Sequence, residues 1–164
     1  KSNWAAPIQT EGLHRAIAGD DAGALALFRL AHRFDPESPA PLVNTLWIEA
    51  RQAQARGDHE AAVDKLIHAS AMATVADRAY IHPGGSAYLR NLLAAARAQR
   101  AEAGGDTDAA VAHFCSIDES ETGLRAWPSA LKREYGKMLN TLRSRLRKKL
   151  GVRATSCGGG AVRG

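Results

Sequence analysis

Apolar residues recur three and four positions apart along most of this chain, and the stripes break at Gly-Asp, Asp-Pro and Ser-Pro. That spacing puts apolar side chains on one face of a helix. The first stripe, Leu13 and Ile17, lies on a short helix expected from Glu11 to Ala18. Gly19 ends it, because Gly takes the left-handed conformation of a helix C-cap without steric cost. Asp20 can then cap the next helix, whose stripe is Ala24, Leu27, Phe28 and Ala31, stopped by Asp35-Pro36. Ser38 and Pro39 open a third helix to about Arg56, with Leu42, Leu46, Ala50 and Ala53 on one side. A fourth carries Ala62, Leu66 and Ala69 and ends near Thr74. After an irregular stretch at His82-Pro83-Gly84-Gly85, a fifth runs from about Ser86 to Ala103 through Leu89, Leu92, Leu93 and Ala96. A sixth holds Ala110, Phe114 and Ile117. A seventh, Trp127 to Leu150, carries Leu131, Tyr135, Met138, Leu142 and Leu146, with Leu139 and Leu150 widening the stripe. Runs of Val, Ile and Thr, the material of strands, are scarce. The expected class is all-α: a lead-in over 1–10, helices over 11–120, a linker over 121–126, a last helix over 127–151 and a Gly-rich irregular tail over 152–164.

A period underlies the helices. Gly-Asp recurs at Gly19, Gly57 and Gly105. The residue five after each Gly is Ala24, Ala62 or Ala110; nine after comes Phe28, Leu66 or Phe114; twelve after comes Ala31, Ala69 or Ile117. Agreement at three positions in three copies marks a repeated helix pair, a unit that buries its apolar face only by stacking on its neighbours. These residues, with the closing Asp35-Pro36, resemble the tetratricopeptide repeat family and its half-a-tetratricopeptide relatives over about 11–120. The copies are degenerate. They start 38 and then 48 residues apart, against about 34 in the family, and the first helix of each pair matches less well than the second. The resemblance implies about three antiparallel helix hairpins that bind a protein on the face of their first helices. By register that face presents Asn44, Trp47, Arg51 and Gln54, then Leu92, Ala95, Gln99 and Glu102. Trp47 would anchor a partner there, since aromatic and Arg side chains dominate binding hot spots; the other reading packs Trp47 against the first repeat. The paired Lys and Asn residues with which family members clamp a C-terminal carboxylate have no counterpart.

Composition and charge sharpen this. Aromatics are 5% of the chain, so the apolar mass is mostly Ala and Leu, which suits closely packed helices. The net charge of +5 is unevenly spread. Residues 1–130 hold 12 basic and 16 acidic side chains, whereas 131–153 hold nine basic ones (Lys132, Arg133, Lys137, Arg143, Arg145, Arg147, Lys148, Lys149 and Arg153) against Glu134. A cationic face on an amphipathic helix suits an anionic partner, RNA or an acidic protein; it is also what the solvated side of a capping helix looks like. Interleaved aromatics for base stacking are missing. Docking on an anionic membrane surface ranks lower, and no apolar run approaches the ~20 residues of a membrane span. The ending LRSRLRKKLGV also resembles, faintly, the helical activation domain of some bacterial transcriptional regulators.

Reactive chemistry is thin. His82-Pro83-Gly84-Gly85 resembles the haem-ligand segment of cytochrome b5, but the strands of that pocket are missing, so it reads as a loop. His14, His32, His59, His68, His82 and His113 show no zinc-type spacing. Phosphate loops, dinucleotide fingerprints and nucleophile elbows are absent. Cys115 and Cys157 show no framework, and whether they pair stays open. The expectation is a non-enzymatic adaptor without cofactor, a structural subunit of a larger assembly. The alternative is an RNA-associated component, of an organellar ribosome or of RNA processing; a regulator domain comes third. Lys1 leaves open a targeting peptide already removed.

Overall fold

The computed structural model describes residues 4–74, 85–118, 128–151, 156–157 and 160–161. Helices dominate: α1 (Ala5–Ile17), α2 (Asp21–Phe34), α3 (Ala40–Ala55), α4 (His59–Ala73), α5 (Gly85–Ala103), α6 (Thr107–Cys115) and α7 (Ser129–Leu150). His82-Pro83-Gly84, the linker over 121–126, Trp127 and Arg153 lie outside the described residues.

Three of the interhelical turns are the same turn. Gly19, Gly57 and Gly105 have φ of 85°, 74° and 81°, a region L-residues with a Cβ rarely enter. Each following Asp donates its backbone N–H to the carbonyl five residues back, Asp20 to Arg15, Asp58 to Ala53 and Asp106 to Ala101, all at 2.9 Å. Each Asp side chain then accepts the N–H three residues on, from Gly23 (2.9 Å), Ala61 (3.1 Å) and Ala109 (3.0 Å). One dipeptide thus satisfies orphan carbonyls of the helix that ends and orphan donors of the helix that starts. At the first turn the Gly23 N–H, with help from Arg15, also holds the Asp20 carboxyl below the usual carboxylate range.

The turns fold α1 on α2, α3 on α4 and α5 on α6, while α2 meets α3 and α4 meets α5. The residues at fixed distance from each Gly form the seams: Ala24, Phe28, Ala31, Ala62, Leu66, Ala69 and Ala110 are fully buried and Phe114 nearly so. Ile117 falls beyond the end of α6 and is half-buried. α1 and α2 approach closely at Gly12. A Cβ on Gly12 would come within 2.5 Å of Phe28 Cε1. Gly12→Ala is therefore expected to cost about 1–3 kcal/mol by overpacking. In α7, where a Cβ on Gly136 would meet nothing within 4 Å, Gly136→Ala should gain up to about 1 kcal/mol from helix propensity. Urea denaturation of both variants checks the opposite signs.

Several boundaries differ from expectation. α1 starts at Ala5, inside the expected lead-in, because Pro7 sits in its first turn, where no intrahelical N–H bond is lost. Pro39 rather than Ser38 holds the N-cap position of α3. In α2 Leu25 is buried and Leu27 only half-buried; in α3 Leu42 is exposed, and Val43, Trp47 and Ile48 take the core instead. The tail is not wholly irregular: Ser156–Cys157 pairs antiparallel with Gly160–Ala161. Cys115 and Cys157 form a disulfide across 42 residues, which brings the tail onto the end of α6.

Candidate functional site

On α3, Asn44, Trp47, Arg51 and Gln54 follow one another three or four apart and so share a face; Tyr88, Leu92, Ala95, Gln99 and Glu102 do the same on α5. α7 packs on α5 and α6 and reaches α3 through Glu134, which faces Arg51, and Met138, which faces Gln54. Its stripe of Leu131, Tyr135, Leu139, Leu142 and Leu146 is buried, and Met138 is half-buried beside it.

Each residue of the expected protein-binding face already has a partner in the chain. Asn44 is fully buried and donates to Gln9 of α1 at 3.0 Å. Trp47, 1% exposed, meets Tyr88 edge-on with ring centroids 6.2 Å apart, and Tyr88 meets Tyr135 of α7 at the same distance. Arg51 lies over the Trp47 ring at 5.3 Å, donates to the Ala16 carbonyl at 2.8 Å and bonds to Asp21, with Glu134 of α7 at 3.7 Å. Gln54 donates to Gln99 at 3.2 Å and faces Met138 Sδ at 3.8 Å. Glu102, 8% exposed, is met by Arg145 at 3.1 Å and Lys149 at 3.2 Å, both from α7. About 30 Å³ of space remains between α3, α5 and α7, room for about one water. Trp47 is thus a core residue in this state, and the face expected to hold another protein holds the chain's own last helix.

The expected cationic face is divided. Arg145 and Lys149 pair with Glu102 while remaining about half exposed, and Arg143 lies 5.5 Å from the centroid of Phe114 on α6. Lys132, Arg133, Lys137, Arg147 and Lys148 are exposed and, at about 100° per residue, fall on one side of α7. The outward charge is therefore smaller than the sequence suggested, because a buried carboxylate on α5 takes two of the cations.

Burial pushes the Tyr88 phenol above its ordinary range, and nearby Glu134 adds to the rise; Arg51 and the hydrogen bond with Trp47 oppose it. A folded value above the unfolded one means that the contribution is full below the ordinary tyrosine range near ~10 and is lost as pH climbs through the raised value. The native chain should lose stability between pH 7 and pH 11, and Tyr88→Phe should lose less. Urea midpoints at the two pH values check this; equal drops would contradict it.

Another space, an open groove of about 420 Å³, lies among α4, α5 and α6. Arg90, Arg97 and His113 line it together with Asp118, beside the carbonyl end of α6, so it presents no single charge for a ligand to read. Its wall is fixed by Asn91, which donates to the Asp118 carbonyl at 3.0 Å and accepts the Asp118 N–H at 3.2 Å. Among the described residues, no group of three or more His, Cys, Asp or Glu is placed to hold a metal ion, and no helix is long and apolar enough to cross a membrane.

Sequence reasoning missed Gln9, Tyr88 and Glu134. Tyr88 carried a usable signal, since it lies four residues before Leu92 on the same face of α5. The chain matches no protein-family model, no curated protein and no solved structure.

Proposed function

We propose that the chain is a non-enzymatic helical-repeat scaffold, a structural subunit of a larger assembly. In this reading α1/α2, α3/α4 and α5/α6 are three degenerate tetratricopeptide-like hairpins, and α7 is a basic capping helix laid across their first-helix face. The three identical Gly-Asp turns and the buried seam at matched positions support the repeat. One observation carries the function. α7 buries its apolar stripe against the repeat body, chiefly α5 and α6, and keeps Arg133, Lys137, Arg147 and Lys148 exposed on the far side. That leaves a rigid cationic surface for an anionic partner.

The test is co-purification from the native source, with nuclease treatment, of the chain and of a variant with Arg133, Lys137, Arg147 and Lys148 changed to Glu. Defined proteins should survive nuclease with the parent chain and be lost with the variant. Recovery of the same proteins by both chains would contradict the reading. The RNA-associated alternative rests on the same cations. It expects nuclease to remove the recovered proteins, and affinity to fall by roughly one log unit per log unit of salt for each phosphate neutralised.

A further inference from the structure

We propose that the face of α3 and α5 is a docking groove for an amphipathic helix with a basic end, that α7 occupies it in cis, and that the Cys115–Cys157 bond latches α7 there. The proposal rests on the scaffold reading and names the partner and the control of its groove.

The segment seated in the groove defines the partner. It carries apolar residues at the spacing of Leu131, Tyr135, Leu139, Leu142 and Leu146, and the last two turns supply two cations to one buried acid, Glu102. A helix with that pattern reproduces each contact, whichever chain it belongs to. The acid adds a requirement as well as affinity, because a helix without cations at that end would leave Glu102 buried and unpaired.

The latch follows from connectivity. Cys115 ends α6, Cys157 follows α7, and the bond between them closes a covalent ring that contains the whole of α7. In the oxidised chain an undocked α7 remains tethered at both ends, so leaving the groove frees few conformations. Two-electron reduction by a dithiol breaks the S–S bond. It yields the two Cys thiols and the oxidised reductant, and α7 then hangs by its N-terminal side alone. A bond across a loop of this size restricts the open ensemble by a factor of roughly thirty to a thousand. Reduction should raise the open population by that factor and uncover Trp47, Tyr88 and Glu102.

Hydrogen exchange by mass spectrometry on the full chain, oxidised and reduced with a phosphine, is the test. α7 amides should exchange roughly thirty- to a thousandfold faster after reduction, while α3 and α4 amides change little. Cys115→Ser/Cys157→Ser should exchange at the reduced rate with and without reductant. A labelled peptide of residues 129–150 should bind the reduced chain and not the oxidised one. α7 exchange unchanged by reduction would overturn the latch. A peptide that fails to bind the reduced chain once α7 exchange has risen would overturn the groove. Neither result depends on whether the outward cations recruit a partner, so failure here and failure of the scaffold reading can be told apart.

Discussion

Trp47→Ala is expected to destabilise the protein by about 3–5 kcal/mol, the range for truncating a buried aromatic that its neighbours cannot close over. Trp47 is 1% exposed, its ring faces Tyr88, and Arg51 lies on it while bonding to the Ala16 carbonyl and to Asp21. Removing the indole therefore also loosens the Arg51 side chain that ties the first turn to α3. A binding anchor on a free surface would behave otherwise, with stability held within about 0.5 kcal/mol and only affinity changed. Chemical denaturation of the variant separates the two. A loss below about 1 kcal/mol would place Trp47 outside the core.

Leu142→Ala is expected to cost about 2–5 kcal/mol. Leu142 is fully buried within the α7 stripe, about two turns from the helix end. Its loss leaves a cavity between rigid helices rather than at a fraying end. The effect should also be local: amide exchange should rise in α7 before it rises in α3 or α4. Leu150, half-buried in the last turn, serves as the control. Leu150→Ala should cost less than Leu142→Ala in the same titration, and equal costs would contradict a docked stripe.

The turns were legible because their chemistry is local. A Gly that can hold positive φ and an Asp that can cap are adjacent in sequence, so three copies reveal three helix junctions. The single-stripe reading of α3 failed for a different reason. A helix wedged between α2 and α4 and touched by Glu134 and Met138 of α7 buries more than one face, so Val43, Trp47 and Ile48 went inside while Leu42 stayed out. The expected lead-in over 1–10 is helical from Ala5, because Pro7 fits the first turn of α1. The contacts that decide the candidate site are all long-range. Glu102 meets Arg145 and Lys149, Asn44 meets Gln9, and Cys115 meets Cys157. Nothing within a helical turn of any of these residues announces its partner; only the packing of α7 brings most of them together.

The most direct test is a NOESY spectrum of the oxidised protein. It contains three Tyr and three Trp in all, so the ring protons can be assigned by substitution. Ring-to-ring cross-peaks should join Trp47 to Tyr88 and Tyr88 to Tyr135, because each pair of centroids is 6.2 Å apart. If Trp47 and Tyr88 share cross-peaks while Tyr135 shares none with Tyr88, α7 does not lie on α3 and α5, and the account of this surface is wrong.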